Sequence, residues 1–255
     1  MPGQVLPRLT AVIFDVDGTL VDSERDGHRL AFNAAFDEAG LAARWGVEEY
    51  GELLAITGGA RRIGHYLRES GYDDALAGRL AKELHERKTA IFAEFVQSGR
   101  VAPRPGVMRL LGELQAAGVR LAVATTGRAS WVRPLLSTSF PDIRFDVIVS
   151  GDDVAALKPD PTVYRIALTQ LGVPASQAVA IEDSHNGLLA AVRAGLDCVV
   201  VVNDYTATQD VDGAALVLDG FGQAGALAAV LADPRRAAPG GQLSLEALRR
   251  LQVTE

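Results

Sequence analysis

Residues 10–19 read TAVIFDVDGT, the clearest structural pattern in the sequence. Its β-branched and aromatic run, residues 10–14, stops at a carboxylate and then a glycine, which indicates a buried strand that ends in a loop. Asp15 and Asp17 lie one residue apart at the strand end, and Gly18 permits a turn that brings the backbone close to a ligand. Taken alone, the pattern has a simple alternative, because polar turns of this kind are common.

Four further apolar runs follow along the chain, separated by helical patterns. Three of these helical patterns close on a glycine, the expected helix stop, since glycine adopts the left-handed conformation easily. Strands that alternate with helices predict an α/β fold with a parallel sheet, and such sheets bind ligands at the carboxyl ends of their strands. The predicted strands are 119–124, 145–149, 178–181 and 198–202, and the predicted helices are 106–117, 161–171 and 187–194.

Residues 23–98 interrupt this alternation. They contain helix-like stretches and no convincing apolar strand, so we predict a helical insertion within a core made of residues 1–22 and 99–255. The tail from about residue 232 is expected to be only loosely attached to that core.

The other predicted strands also end in polar side chains: Thr125 and Thr126, Lys158, and the pair Glu182 and Asp183. Each has an ordinary explanation as part of a polar loop. Their combination at one predicted sheet edge is harder to obtain by chance, so we interpret them together as a site.

Clustered carboxylates suggest a metal ion. They repel one another unless a cation lies between them, and Mg²⁺ prefers carboxylates, waters and substrate oxygens. Asp15 and Asp183 are the main predicted ligands. The carbonyl oxygen of Asp17 is expected to be the third ligand from the protein. Glu182 is expected to support the ligands without binding the metal directly.

The same residues suit phosphoryl transfer, which needs positioning and charge stabilisation around a flat PO₃ group. Lys158 and the Thr125 hydroxyl are predicted to contribute to that stabilisation. Asp15 is the candidate nucleophile, attacking phosphorus in line to give an aspartyl-phosphate. Asp17 is the candidate acid and base, which protonates the leaving oxygen and later takes a proton from water.

These features resemble the motifs of the haloacid dehalogenase (HAD) superfamily of phosphohydrolases: DVDGT at 15–19, Thr125, Lys158, and the ED pair at 182–183. The resemblance covers almost the whole chain in the right order. It implies a Rossmann-like core with an inserted helical cap, Mg²⁺ dependence, Asp15 as nucleophile and Asp17 as acid and base. Haloalkanoate dehalogenases lack the second aspartate and need no metal, so Asp17 favours a phosphatase.

The cap sequence resembles the CbbY group, phosphatases for xylulose-1,5-bisphosphate. The similar segments are ERDGHRLAFNAAF (24–36), ITGGARRIGHYL (56–67), HERKT (85–89) and VATTG (123–127). The group usually reads GGKERI, whereas this chain has Ala60 and Arg61 in place of the lysine and the glutamate. The segment that ends at Arg128 likewise departs from the group's common TTTS.

The charge of the predicted cap suits a doubly anionic substrate. Residues 57–90 hold seven Lys or Arg and five Asp or Glu, the reverse of the overall balance. Arginine offers a planar fork for phosphate, and a glycine pair lets backbone amides approach. The alternative is that these charges form solvated helix faces paired with acids at helical spacing. The predicted substrate-binding residues are Glu24, His28, Gly58, Gly59, Arg62, His85, Lys88, Thr126 and Arg128.

Within that set the expected roles differ. Arg62, His85 and Lys88 are candidates for holding the remote phosphate. Glu24 and His28 lie four residues apart on one helix face, where they can bind sugar hydroxyls or aid proton transfer. An ordinary packed histidine is the alternative for His28.

Composition narrows the possible partners. The 255 residues carry a formal net charge of −7, which argues against broad binding to nucleic acid or anionic membranes. The single cysteine, Cys198, cannot form an internal disulfide, and no signal peptide or membrane span is evident. We therefore expect a cytoplasmic monomer whose partner is a small phosphosugar.

Taken together, the sequence predicts an Mg²⁺-dependent phosphatase that converts xylulose-1,5-bisphosphate to xylulose 5-phosphate. A β-phosphoglucomutase-type mutase and a phosphoglycolate phosphatase stay open as alternatives. A non-catalytic phosphate-binding sensor or scaffold is the alternative from outside the enzymes.

Overall fold

The computed structural model describes residues 9–56 and 58–252. The chain divides into two compact units. The core unit comprises Met1–Val21 and Pro103–Glu255, and the helical unit comprises Asp22–Ala102.

A seven-stranded sheet forms the centre of the core unit, in the order β3-β2-β1-β4-β5-β6-β7. All neighbouring strands pair in parallel except β6 and β7, which are antiparallel. This confirms the predicted α/β fold with a parallel sheet, to which β7 adds one antiparallel strand that was not predicted. The strands are β1 Ala11–Phe14, β2 Arg120–Ala124, β3 Val147–Val149, β4 Ala178–Glu182, β5 Asp197–Val201, β6 Leu216–Leu218 and β7 Val230–Ala232.

The central strand β1 is buried along its whole length, which is why its sequence is a continuous apolar run rather than an alternating one. Ile13 of β1 pairs with Ala122 on one side and with Ala180 on the other. Its side chain belongs to a core cluster that also includes Leu168 and Leu188 from two helices. The helices of the core unit are α5 Val107–Ala116, α6 Ala129–Ser139, α7 Thr162–Leu171, α8 His185–Arg193 and α9 Leu245–Leu251.

The helical unit packs around an aromatic core. The rings of Phe32 and Phe36 each lie 4.9 Å from that of Trp45, measured between centroids, and all three are buried. The unit contains a π-helical segment Ser23–His28, α1 Arg29–Glu38, α2 Val47–Leu53, α3 Gly59–Glu69 and α4 Asp74–Gln97. Among the described helices, none is both long and apolar enough to cross a membrane.

The expectation of a loosely attached tail is wrong. Leu243, Leu248 and Leu251 are fully buried. The Arg109 guanidinium on α5 donates a hydrogen bond of 2.6 Å to the carbonyl of Leu243, and Gln252 donates one of 3.2 Å to the carbonyl of Ala178. The proline- and glycine-rich stretch before α9 is therefore a connection to a packed helix.

Candidate active site

Parallel pairing brings two acidic strand ends together. Ile181 of β4 pairs with the last residue of β1, and its carbonyl accepts a 3.0 Å hydrogen bond from the backbone N–H of Asp15. Glu182 ends β4 and Asp183 follows it. One carboxylate oxygen from each of Asp15, Glu182 and Asp183 lies within 4.8 Å of the others, and all three residues are buried. This acidic cluster lies at the sheet edge where the sequence predicted a site.

Lys158 joins two members of the acidic cluster. Its Nζ donates to Asp15 Oδ1 and to Glu182 Oε1, each at 2.5 Å. The lysine side chain is only 5% exposed, so the two ion pairs are shielded from water. The three carboxylates and one ammonium leave a formal charge of −2 in a buried place, which a divalent cation would balance.

Two further side chains, Tyr164 and Asn203, donate hydrogen bonds to carboxylates of the acidic cluster. The sequence analysis missed both. The Tyr164 hydroxyl on α7 donates to Glu182 Oε1 at 2.6 Å. Asn203 Nδ2 donates to Asp183 Oδ2 at 2.8 Å. Asn203 lies just past β5, so the strand-end rule that identified the other polar residues would have found it. Tyr164 carried no such signal, because its position fits an apolar helix face.

Burial and mutual repulsion shape the electrostatics of the cluster. Burial raises the pKa of Asp15 well above its ordinary value, and the charges of Glu182 and Asp183 add to that rise while Lys158 opposes it. Burial, followed by the charge of Glu182, raises the pKa of Asp183 to about 7. Burial disfavours the charged form of Lys158, but its two carboxylate partners outweigh this and raise its pKa.

A tight turn brings the backbone up to these carboxylates. Gly18 has φ +77°, and a Cβ at this position would lie 2.2 Å from Asp183 Oδ2. Only glycine meets both conditions. The carbonyl of Gly18 accepts from the guanidinium of Arg104, which also donates to the carbonyls of Val201 and Val202. Arg104, a buried residue that the sequence analysis missed, thus ties the turn after β1 to the end of β5.

The remaining predicted residues of the core unit follow β1 or β2, two neighbouring strands of the sheet. Thr125 is buried at the end of β2, and its Oγ1 accepts from the backbone N–H of Gly127 at 3.0 Å. Asp17 is half-buried within the turn after β1. Thr126 and Arg128 are exposed in the loop between β2 and α6.

The ligand atoms fit a hard cation. All are oxygens, the class that Mg²⁺ prefers. Both oxygens of Glu182 already accept hydrogen bonds, from Lys158 and Tyr164 at Oε1 and from the backbone of Asp183 at Oε2, 3.3 Å away. The described hydrogen bonds engage only one carboxylate oxygen in each of Asp15 and Asp183. The geometry therefore favours these two aspartates as ligands, with Glu182 behind them.

A cluster of buried cations occupies the helical unit. Arg62 and Lys88 are 8% and 7% exposed, so a solvated helix face does not describe them. The Arg62 guanidinium donates to the hydroxyl of Tyr50 at 3.1 Å, and that hydroxyl donates to Glu24 Oε2 at 2.6 Å. Lys88 Nζ lies 4.6 Å from the centroid of the Phe32 ring, which allows a cation–π contact.

His28 and His85 flank these cations. His28 Nδ1 lies 2.8 Å from Lys88 Nζ. Because an ammonium only donates, Nδ1 is the acceptor and the ring proton is on Nε2. His85 is half-buried and packs against Gly59, where a Cβ would lie 2.5 Å from the His85 ring. Gly58, before it, has φ +96°, a conformation that favours glycine.

Replacing His28 is expected to make stability less sensitive to acid. Burial, followed by the charges of Lys88, Arg62 and His85, holds the pKa of His28 well below its ordinary value. In the unfolded chain the imidazole has a pKa of about 6.5. Below that pH the unfolded state binds a proton that the folded state does not, so stability is complete above about pH 6.5 and falls as the pH is lowered toward the folded pKa.

His28→Gln should therefore reduce the slope of unfolding free energy against pH, by up to about 1.4 kcal/mol per pH unit between about pH 5 and 6.5. Urea titrations across this range measure the slope. His65→Gln, at an exposed position of the same unit, is the control. Equal slopes in His28→Gln and the wild type would contradict the lowered pKa of His28 in the folded protein.

Tyr164→Phe is expected to destabilise the core unit by about 1–3 kcal/mol, because it removes a donor from a buried carboxylate. Tyr72→Phe, in the helical unit, makes the same change away from the acidic cluster and should be nearly neutral. Urea unfolding followed by circular dichroism compares the two variants. Equal stabilities would show that the hydroxyl of Tyr164 does not support Glu182.

Comparison with known proteins places the chain in a family. Residues 9–195 match the model of the haloacid dehalogenase-like hydrolases. The chain is 44% identical over 223 residues to the protein CbbY of Cereibacter sphaeroides, covering 86% of this chain and 96% of that one. It is 34% identical over 218 residues to a phosphoglycolate phosphatase of Pseudomonas savastanoi, covering 84% and 77%.

A solved structure carries the likeness further. A mutant of CbbY from Rhodobacter sphaeroides, crystallised in complex with xylulose-(1,5)bisphosphate, has a TM-score of 0.69 and 44% identity to this chain. The alignment covers 85% of this chain and 96% of that one. The family match and the sequence identity are consistent with the mostly parallel sheet and with the acidic cluster at its edge. The chain therefore belongs to the haloacid dehalogenase-like hydrolases, as a phosphatase of the CbbY group.

Proposed function

We propose that this phosphatase hydrolyses xylulose-1,5-bisphosphate to xylulose 5-phosphate, with Mg²⁺ held by Asp15, Asp183 and the carbonyl of Asp17. The observation that most supports it is the buried acidic cluster, in which Lys158 contacts both Asp15 and Glu182. The 44% identity to a protein crystallised with this bisphosphate supports the choice of substrate.

The first half of the reaction transfers the phosphoryl group to the protein. Mg²⁺, when bound, neutralises charge on the phosphate oxygens. Lys158 and the Thr125 hydroxyl donate to those oxygens and orient the phosphate. An Asp15 carboxylate oxygen then forms a bond to phosphorus while the bond from phosphorus to the sugar oxygen breaks. Asp17 gives its proton to the departing sugar oxygen.

The second half returns the protein to its starting state. Water attacks the phosphorus of the aspartyl-phosphate, and Asp17 accepts a proton from that water. The bond between Asp15 and phosphorus breaks, which releases inorganic phosphate and restores the carboxylate. Lys158 holds the charge of the departing phosphate, and Glu182 and Tyr164 keep Lys158 in place.

The helical unit is proposed to recognise the second phosphate and the sugar. Arg62 and Lys88 supply positive charge, and their burial makes their attraction to an anion stronger than it would be in open water. Burial and the two neighbouring cations lower the pKa of His85, so this residue is proposed to hold the phosphate as a neutral hydrogen-bond donor. Glu24 and His28 bind hydroxyls of the sugar. Further contacts to the substrate are proposed from the backbone of Gly58–Gly59 and from Thr126 and Arg128.

A panel of phosphate esters tests the proposal. Xylulose-1,5-bisphosphate, β-glucose 1-phosphate with its 1,6-bisphosphate, and phosphoglycolate are compared for phosphate release with Mg²⁺ and with EDTA. We expect Mg²⁺-dependent hydrolysis with the highest kcat/KM for the pentulose bisphosphate. Interconversion of glucose phosphates without net phosphate release would identify a mutase, and preference for phosphoglycolate would also overturn the assignment.

A further inference from the structure

A second basic feature of the helical unit lies outside the cluster around Arg62 and Lys88. Helices α3 and α4 border a groove with a volume of about 560 Å³. Its polar lining consists of Arg61, His65, Arg68 and Lys82, all exposed, and we call it the α3–α4 groove. Nothing in the proposed reaction uses these side chains.

The floor of the groove is apolar and smooth because small residues face each other across the helices. A Cβ at Gly64 would lie 3.5 Å from the Cβ of Ala81, in ordinary van der Waals contact. On α3, Arg61, His65 and Arg68 share the outer face, while Arg62 on the inner face is buried. The groove and the buried Arg62 are therefore on different faces of α3.

Three of the side chains that line the groove, Arg61, Arg68 and Lys82, carry formal positive charges that are poorly neutralised. Within residues 9–56 and 58–252, no carboxylate makes an ion pair with Arg61, His65 or Lys82, and Arg68 reaches Asp74 only at 3.9 Å. None of the described residues that line the groove is acidic. Arg61 and Lys82 have no ion-pair partner among the described residues, although the chain has a net charge of −7. Their positive charge marks a surface suited to an acidic partner.

We propose that the α3–α4 groove docks an acidic segment of a partner protein, one whose carboxylates flank apolar side chains. A small phosphate is disfavoured because none of the described side chains that line the groove is a buried donor, and single exposed ion pairs are weak. A polypeptide gains from several carboxylates at once and places its apolar side chains on the Gly64 and Ala81 floor.

The test uses a fluorescein-labelled peptide of about 12 residues, built from alternating pairs of Glu and Leu, and full-length protein. Fluorescence anisotropy should show binding that weakens as salt rises from about 0.05 to 0.5 M. The double variant Arg61→Glu with Lys82→Glu should bind at least about tenfold more weakly. Arg44→Glu with Arg79→Glu changes the charge equally outside the groove and should shift affinity less than about twofold.

Several results would overturn the proposal: no binding of the peptide to the wild type, equal losses in the two double variants, or equal binding of a peptide with Ser in place of Leu. Displacement of the peptide by inorganic phosphate would indicate a small-anion site instead. If the wild type is a dimer and the double variant Arg61→Glu with Lys82→Glu is a monomer, the occupant is a second copy of this chain. Phosphate release should be unchanged in that variant, which separates this surface from the phosphatase site.

Discussion

Asp15→Asn should abolish phosphate release and leave the metal-free protein at least as stable as the wild type. The amide cannot act as a nucleophile toward phosphorus, so we expect a fall in kcat of at least about 10⁴-fold. Phosphate release from xylulose-1,5-bisphosphate with Mg²⁺ measures the effect. Turnover of the variant near the wild-type value would show that Asp15 is not the nucleophile.

The expected stability follows from the electrostatics of the acidic cluster. Burial raises the pKa of Asp15, with Glu182 and Asp183 adding to the rise, so its charged form is unfavourable in the folded state. Asparagine removes one of three buried negative charges, and Lys158 keeps Glu182 as its partner. Active sites commonly store such unfavourable charge at the expense of stability.

Urea unfolding in EDTA measures this prediction. The free energy of unfolding of Asp15→Asn should equal or exceed that of the wild type, and Asp142→Asn, an exposed loop position, should be neutral. A loss above about 2 kcal/mol would mean that the ion pair with Lys158 outweighs the repulsion among the carboxylates.

The strand-end residues were predictable because buried parallel strands leave a clear signature. Each is an apolar run that stops at a polar residue, and parallel pairing puts these stops at one edge. The structure brings Asp15, Glu182 and Asp183 together there. Lys158 also contacts Asp15 and Glu182, but the prediction that it ends a strand is wrong, because β3 ends at Val149 and Lys158 lies nine residues later in a turn. The hydrogen bond from Tyr164 was not predictable, because it depends on how α7 packs against the sheet.

Short elements and buried charges were harder to infer. Strands β6 and β7 have three residues each, and α2 has seven, too few for a period to be recognised. The charge count identified residues 57–90 as basic, but it did not show which cations lie inside. Lys88 is buried because the rings of Phe32 and Phe92 cover it, at 4.6 and 5.3 Å from its Nζ.

Lys158→Met is expected to destabilise the protein, in contrast to Asp15→Asn. The substitution keeps a long side chain but leaves the buried carboxylates without their ammonium, so the formal charge of the cluster changes from −2 to −3. Breaking a buried ion pair by removing one partner costs about 3–5 kcal/mol. We expect a loss of that size in EDTA, measured by urea unfolding, and loss of phosphate release as well.

Mg²⁺ should restore part of the stability of Lys158→Met and raise its unfolding midpoint more than that of the wild type, because the cation then meets a larger negative charge. Lys82→Met, at an exposed lysine, should stay within about 0.5 kcal/mol of the wild type. An equal loss in both variants would mean that Lys158 acts only through its packing.

Combining the two substitutions separates charge from packing. If repulsion among the carboxylates causes the instability of Lys158→Met, then Asp15→Asn should relieve it, because the double variant returns the cluster to −2. The double variant should be more stable than Lys158→Met, with a coupling energy of about 1–3 kcal/mol. Strict additivity would instead show that Asp15 and Lys158 do not interact in solution, and the role proposed for their contact would fail with it.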